Sequence, residues 1–222
     1  MLSHEQSLAD RFNAFMQNQG KDRGIDVHAF SLDGQDRDAG ADYVLMDTTR
    51  FALVEFKYSE ANLVSEAHKP RRLVLCKQLA LQSNMRALHD RCHFVAWTEP
   101  PSSNVRVNVY RHEICTTRVF NQSFGFPADD PLLAKLDAGT FAERFLGQST
   151  SNTLTYSEFE SYVAWLLTET SGSKKSTIEL VASNVDANEL SLIRLSSLAE
   201  AHSWLQSHRR SPKLRPRPGN GG

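Results

Sequence analysis

Two apolar segments joined by four polar residues constrain the fold of this chain more than any other feature. Residues 42–46 (DYVLM) and 51–59 (FALVEFKYS) are rich in β-branched and aromatic residues, and DTTR separates them. Two strand-like segments with a four-residue connection predict a β-hairpin. With residues 47–50 as the loop, Met46 faces Phe51, and counting outward along both strands places Asp42 opposite Glu55.

The alternation of side chains along a strand then gathers three charged residues on one face. Glu55 and Lys57 point the same way because they are two positions apart. Asp42 joins them, since directly opposed residues of a hairpin share a face with Cβ atoms about 5 Å apart. Val54 and Phe56 point to the other face, so the hairpin is predicted to have one apolar side and one with charged groups.

The charged face predicts a chemistry. Two adjacent carboxylates repel each other, and a cation between them removes that cost. Oxygen ligands suit Mg²⁺ or Mn²⁺, ions that also accept phosphate oxygens. A nearby lysine can orient or activate water, or stabilise charge that develops on phosphorus. The pattern predicts metal-assisted phosphodiester hydrolysis, with Asp42 and Glu55 as metal ligands and Lys57 as a catalytic residue.

Two predicted helices flank the hairpin and add polar candidates. Residues 3–18 carry apolar residues at helical spacing, and residues 70–89 carry the stripe Val74, Gln78, Leu81, Met85 and Leu88. Glu5 extends the first stripe by one turn, and Gln78 interrupts the second. We expect both side chains to join the site, Glu5 as a further metal ligand and Gln78 as a catalytic auxiliary. Two simpler interpretations stay open: an acid suits the first turn of a helix, and Gln78 can lie at the edge of its stripe.

Basic residues follow the lysine strand. The set comprises His68, Lys69, Arg71, Arg72 and Lys77. Cations near a helix N-terminus oppose its dipole, so helix stability does not explain them. We therefore predict that Lys69, Arg71, Arg72 and Lys77 contact nucleic-acid phosphates, with a solvated helix start as the alternative.

The remaining elements indicate an α/β protein with more than one region. Strands are predicted at 93–97 and 105–110, and a turn-rich junction follows near residue 125. Beyond it we expect a helix at 156–168, a hairpin of 177–182 with 190–195, and a last helix at 197–208. The predicted division is a core at 1–125, a small α+β accessory region at 126–208 and a tail at 209–222.

Charge and cysteine content bear on location. The whole chain of 222 residues has a net charge of -1, whereas the tail holds five cations, no acid, and several prolines and glycines. It is predicted to be an unfolded basic arm that either aids solubility or binds phosphates. Cys76, Cys92 and Cys115 are few and odd in number, which favours a reducing compartment over a disulfide framework. Without a secretory signal or a membrane-length apolar run, the protein is predicted to be cytoplasmic.

Zinc binding is a second, weaker interpretation of part of the chain. HxxCH and a later HxxC supply residue types that ligate zinc. The residues are His89, Cys92, His93, His112 and Cys115. Their spacing matches no standard zinc module, and His93 begins an apolar strand.

The segments GAD (40–42) and VEFK (54–57) resemble the signature of the PD-(D/E)XK nuclease superfamily, an acid followed on the next strand by Glu/Asp-X-Lys. Asp42 matches the acid, and Glu55 and Lys57 match the second element. Relatives such as Holliday-junction resolvases and Mrr-like restriction enzymes add a glutamate in the first helix and a glutamine or lysine in the later helix. Glu5, Lys77 and Gln78 match these positions. The resemblance covers about residues 3–97, with Ala41 where many members have proline.

This resemblance implies a restriction-endonuclease-like core, in which helices flank a mixed central sheet and the metal site lies on the hairpin. It implies a nuclease that uses Mg²⁺ or Mn²⁺, and we expect an endonuclease of restriction or anti-phage defence. The implied partners are DNA, with RNA left open, and a companion ATPase, helicase or other defence subunit; self-association is compatible with this class. The alternative is a catalytically inactive nuclease-fold subunit that binds protein or nucleic acid in a larger complex.

Overall fold

The protein is described by a computed structural model that covers residues 2–32, 40–99, 101, 104–127, 134–147, 151–171, 180–186 and 189–207. The predicted basic tail lies outside these residues. The strands are β1 (His28–Ser31), β2 (Tyr43–Met46), β3 (Phe51–Ser59), β4 (His93–Glu99), β5 (Asn104–Val109), β6 (Leu136–Asp137), β7 (Leu180–Asp186) and β8 (Glu189–Leu195).

The helices of the described residues include one long 3₁₀ helix. They are α1 (Leu2–Asp22), the 3₁₀ helix (Glu60–His68), α2 (Pro70–Leu81), α3 (Ser83–Cys92), α4 (Tyr110–Ile114), α5 (Thr117–Phe120), α6 (Ala138–Leu146), α7 (Tyr156–Ser171) and α8 (Leu198–Ser207). None of these helices is long and apolar enough to cross a membrane.

The described strands form one mixed sheet in the order β6-β5-β4-β3-β2-β1-β7-β8. β3 and β4 are parallel, and the other neighbours are antiparallel. Helices α1 and α6 cover one face, while α2, α3, α7 and α8 cover the other, each over its own apolar core. The predicted α/β class is therefore confirmed.

The hairpin forms in the predicted register. Met46 pairs with Phe51 and Tyr43 pairs with Val54, so Asp42 comes next on its strand opposite Glu55. Asp47 closes the loop, because its carboxylate accepts the main-chain N–H of Arg50 at 2.8 Å. A short acidic side chain that bonds its own turn in this way favours a tight connection.

The helix predicted at 70–89 is divided, and its stripe is displaced. The backbone at Gln82 is extended, with φ −113° and ψ 90°, and separates α2 from α3. The buried face of α2 consists of Arg72, Leu75, Cys76 and Leu79. Val74 and Leu81 are 36% and 79% exposed, so placing them in the core was wrong. The apolar stripe predicted from the sequence runs across this break, and on either side of it the two helices turn different faces towards the core.

Strands on both sides of the predicted boundary at residue 125 belong to the same sheet. β6 pairs with β5 through Arg106 and Asp137, and β7 pairs with β1 through Ser31 and Val181. The hairpin of β7 and β8 and the helices α7 and α8 appear near their predicted positions. The domain boundary itself stays a prediction.

Two cysteines contradict the expectation of a chain without disulfides. Cys76 of α2 and Cys115, which follows α4, form a disulfide with their Cα atoms 5.3 Å apart. Cys92 is free and buried. The two bonded residues are 39 positions apart and meet because their segments pack in the same core, a proximity that a count of cysteines does not reveal.

Candidate functional site

The structure brings Asp42 to the strand that carries Glu55 and Lys57. Its main-chain N–H donates to the carbonyl of Val54 at 3.0 Å, which continues the hairpin ladder. Its side-chain Oδ2 accepts the main-chain N–H of Phe56 at 2.6 Å. The carboxyl group is therefore held over β3, next to the position of Glu55.

Glu55 and Lys57 form a buried ion pair on this strand. Lys57 Nζ lies 2.5 Å from Glu55 Oε1. The two residues are 0% and 4% exposed, respectively. The alternation of β3 places both on one face, as the sequence predicted, and the structure shows that this face is the buried one covered by α2, α3 and α7.

A third acid, Glu66, completes the arrangement and was not predicted. The 3₁₀ helix after β3 turns its 0%-exposed side chain towards the site. Its Oε1 lies 3.0 Å from Lys57 Nζ and 2.7 Å from Lys69 Nζ. Its Oε2 lies 3.0 Å from Arg72 Nε and accepts the Tyr110 hydroxyl at 2.7 Å. Glu66 is therefore the residue on which three cations converge.

We call this group the ionic cluster. It consists of three acids and three bases: Asp42, Glu55, Glu66, Lys57, Lys69 and Arg72. Lys69 also reaches Glu55, with Nζ 3.0 Å from Oε1. Taking charges out of water is costly, and mutual attraction offsets that cost only while each partner is present. The cluster is therefore a set whose members depend on one another.

The surroundings of the two hairpin carboxyl groups shift their pKa values in opposite directions. Burial, and then the charge of Glu55, raise the pKa of Asp42 to about 8. Burial would also raise the pKa of Glu55, but the charges of Lys57 and Lys69 outweigh it and hold that pKa below its usual range. At neutral pH Glu55 is thus ionised while Asp42 largely keeps its proton. A cation bound between them would favour the ionised form of Asp42 as well.

Lys57 is held in its charged form. Burial acts to lower its pKa, yet the neighbouring charges of Glu55 and Glu66 outweigh burial and raise the pKa above its usual range. A lysine in this condition is a fixed positive charge and a hydrogen-bond donor. It is not suited to removing a proton from water at neutral pH.

Two buried carboxylate oxygens of the cluster, Glu66 Oε1 and Glu55 Oε2, have no hydrogen-bond partner among the described residues, but Glu66 Oε1 lies within 3.0 Å of two lysine ammonium groups. Both lysine ammonium groups contact Glu55 Oε1. Within the described residues, no donor bonds the buried Glu55 Oε2. An unsatisfied buried acceptor costs about 1–3 kcal/mol, and more when charged. Glu55 Oε2, together with the Asp42 carboxyl, fits a hard cation that prefers oxygen ligands.

Glu5 lies at the same end of β3 as Lys57. Its Oε1 is 3.5 Å from the main-chain N–H of Tyr58, the residue after Lys57. Over the described part of the chain, no group of three or more His, Cys, Asp or Glu side chains is arranged to hold a metal ion. Of the three predicted metal ligands, Asp42 and Glu55 therefore lie together, whereas Glu5 lies beside the end of β3.

Gln78 lies away from the ionic cluster. Its Oε1 accepts an N–H of Gln82 at 3.1 Å, one turn further along the chain. It is nine residues beyond Lys69, which corresponds to roughly 13 Å along a helix axis. Its predicted place in the site depended on the displaced stripe of α2, so the structure gives that prediction no support.

The four basic residues predicted to bind nucleic acid fall into two groups. Arg72 is buried and bonded to Glu66, so it supports the cluster from inside. Lys69 is 34% exposed at its side chain and forms the outer edge of the cluster. Arg71 is partly exposed and Lys77 is exposed, on the same helix. The side chains that reach the surface are thus those of Lys69, Arg71 and Lys77.

The zinc interpretation is wrong. Cys115 is bonded to Cys76, so it offers no thiolate. The ring nitrogens of His89 and His93 bond the Tyr162 hydroxyl at 2.6 and 2.8 Å. These imidazoles are already engaged in the core.

Comparison with known proteins adds no relative. No protein-family model, curated protein or solved structure matches this chain.

Proposed function

We propose that this protein is a divalent-metal-dependent nuclease of the PD-(D/E)XK type that hydrolyses phosphodiester bonds of DNA. One observation carries the proposal: Asp42 lies beside Glu55 on a hairpin whose next inward residue, Lys57, bonds Glu55, while Glu55 Oε2 has no donor among the described residues. Two carboxylates and a lysine are the groups that this reaction requires.

Each residue of the site has a role in the proposed reaction. Asp42 and Glu55 would hold Mg²⁺ or Mn²⁺, and the bound ion would polarise the phosphate and make a bound water more acidic. Lys57, fixed as an ammonium by two carboxylates, would orient the water and stabilise negative charge on the phosphate oxygens. Lys69, at the partly exposed outer edge of the cluster, would contact the substrate backbone.

The surrounding fold supports a restriction-endonuclease-like core. The hairpin of β2 and β3 is followed by the parallel strand β4, with α1 on one face and α2 on the other. By analogy with that class we propose a role in restriction or anti-phage defence, with a companion ATPase, helicase or other defence subunit.

The experiment is cleavage of supercoiled and single-stranded DNA, and of RNA, with Mg²⁺ or Mn²⁺. We expect the wild type to nick DNA, and Lys57→Ala to lower the rate by roughly 100- to 1,000-fold because it removes a positive charge from the transition state. Lys21→Ala, at the exposed end of α1, is the matched control and should match the wild type. Cleavage that is equal in wild type and Lys57→Ala, or absent throughout, contradicts the proposal.

A second function is favoured by the self-sufficiency of the ionic cluster. The three bases are balanced by Glu55, Glu66 and, once the pH exceeds the Asp42 pKa of about 8, Asp42, so the cluster can reach electrical balance without any metal. A subunit that only binds protein or nucleic acid could keep such a cluster for stability. Mn²⁺ binding separates the two functions: a nuclease site takes up the ion at Asp42 and Glu55, whereas a purely structural cluster does not.

A further inference from the structure

A chain of buried hydrogen bonds leads from α4 to the segment just before β2. The main-chain N–H of Arg111 lies 3.2 Å from His89 Nε2, and His89 Nδ1 lies 2.6 Å from the Tyr162 hydroxyl. The same hydroxyl lies 2.8 Å from His93 Nδ1, and His93 Nε2 lies 2.8 Å from the carbonyl oxygen of Gly40. The three side chains are fully buried.

The two ends of this chain determine the direction of every bond. A main-chain N–H only donates, so His89 Nε2 accepts and His89 Nδ1 carries the proton. A carbonyl only accepts, so His93 Nε2 carries a proton and His93 Nδ1 accepts from Tyr162. The tyrosine hydroxyl accepts from His89 and donates to His93. Burial keeps both rings neutral, because it lowers the pKa of His93 to about 4 and that of His89 well below its usual range.

Gly40, at the end of the chain, is closely packed. Its φ of +74° is a conformation that favours glycine. A Cβ at this position would lie 3.0 Å from Arg72 Nη1 and 3.3 Å from His93 Cε1. The peptide at residue 40 is therefore confined between a member of the ionic cluster and the histidine that bonds it.

The location of Gly40 matters because Asp42 follows two residues later. Ala41 between them is fully buried. Two planar peptide units, joined at this buried alanine, link the Gly40 carbonyl to the Asp42 main chain. A carbonyl that is fixed at residue 40 limits where the Asp42 carboxyl can lie relative to Glu55.

We propose that Tyr162 and His93 are positioning residues for Asp42: their hydrogen bonds hold the Gly40 carbonyl and so hold the aspartate in the geometry that binds the metal ion. The inference rests on the proposed function only in taking Asp42 as a metal ligand. It gives α7, a helix of the predicted accessory region, a direct part in building the site on the hairpin.

The test is Tyr162→Phe, which keeps the ring but removes both bonds of the hydroxyl. We expect the amide proton of Asp42, which donates to Val54, to exchange roughly 10-fold faster, because the segment before β2 is released. The Mn²⁺ dissociation constant should rise by roughly 10-fold, as is typical when a partner behind a metal ligand is lost. Tyr156→Phe is the matched control on the same helix, since its hydroxyl bonds Glu160, and should change neither quantity by more than about twofold.

The inference is overturned if Tyr162→Phe folds normally and leaves both the Asp42 amide exchange and the Mn²⁺ affinity at wild-type values. If the wild type binds no Mn²⁺, the proposed function fails, but amide exchange still decides whether Tyr162 positions Asp42. A second test needs no variant: the ¹⁵N resonances of the imidazole nitrogens in the wild type report the tautomer and charge of each histidine. At pH 7 they should show a neutral His89 with its proton on Nδ1 and a neutral His93 with its proton on Nε2, and any other state also overturns the inference.

Discussion

The two faces of β3 are built in opposite ways. Val54 and Phe56 pack into the apolar layer under α1 and α6, where the Phe56 ring lies 5.4 Å from that of Phe12. Glu55 and Lys57 alternate with them and enter the ionic cluster on the other face. One strand of nine residues therefore carries an apolar core on one side and buried charges on the other.

The two faces of β3 differ in how much stability a single mutation would remove, and this difference distinguishes a face that mainly stabilises the fold from one that carries chemistry. When a mutation truncates an apolar side chain, the loss of stability is proportional to the apolar area that is no longer buried, and neighbouring side chains relax around the change. A buried charge that loses its partner keeps the full cost of being out of water. A well-packed apolar face would stabilise the same strand at less risk, so we interpret the ionic cluster as a feature retained for chemistry.

The largest expected effect is the loss of the acid at the centre of the cluster. Glu66→Ala leaves Lys57, Lys69 and Arg72 without their shared carboxylate, and we expect the free energy of unfolding to fall by about 3–5 kcal/mol. Urea unfolding followed by circular dichroism measures this loss. A decrease below about 1 kcal/mol would show that the cluster is not a mutually dependent set.

On the opposite face a comparable truncation should cost less. Phe56→Leu removes part of one ring from the apolar layer, and we expect a loss of about 1–2 kcal/mol as the neighbours repack. Mn²⁺ binding should persist because the Phe56 main-chain N–H still bonds Asp42. If binding is abolished in a folded variant, the two faces are not as separate as we describe.

The pH dependence of stability should reveal the Asp42 carboxyl. In the folded protein it loses its proton near pH 8, whereas in the unfolded chain it does so near its ordinary value of 3.8. Between these values the Asp42 carboxyl binds more protons in the folded state, so the contribution of this group to stability is greatest at the acidic side and is lost as the pH rises through 8. The lowered pKa values of Glu55, His89 and His93 act in the opposite sense, because these groups reduce stability as the pH falls.

Asp42→Asn removes this titration and the repulsion from Glu55. Without divalent ions we expect the wild type to lose about 1–3 kcal/mol more than the variant between pH 5 and pH 9. The variant should therefore melt at the higher temperature at pH 8. Differential scanning calorimetry across this range makes the comparison, and parallel curves for the two proteins would contradict the pKa assigned to Asp42.

The smallest expected effect is that of Gln78→Ala. Its partner is Gln82 in the same region of the chain, and its helix buries a different face. We expect a change in unfolding free energy within about 0.5 kcal/mol and an unchanged cleavage rate. A clear loss of cleavage would restore the sequence-based placement of Gln78 in the site.

The hairpin could be predicted because its determinants are local. Strand alternation, the short loop and the Asp47 side chain that bonds Arg50 all lie within one stretch of sequence. Those features are enough to place Asp42, Glu55 and Lys57 together. The α/β class follows from the same kind of pattern in the other elements.

Glu66 could not be predicted because its partners are distant. Tyr110 lies 44 residues further along the chain, and the 3₁₀ helix that carries Glu66 has no apolar periodicity to reveal its buried face. The break at Gln82 was missed for a different reason: no glycine or proline marks it. From the sequence alone, a charged residue such as Glu66 is expected to be exposed, and only its tertiary contacts show that it is buried.

Binding of Mn²⁺, measured by electron paramagnetic resonance at pH 8 in wild type and Glu55→Gln, tests the central claim most directly. Glu55 Oε2 and the Asp42 carboxyl together should bind one ion in the wild type. Removal of the Glu55 charge should weaken that binding by roughly 10-fold or more. Equal binding by both proteins, or no binding by the wild type, would contradict the claim that this carboxylate pair is a metal site.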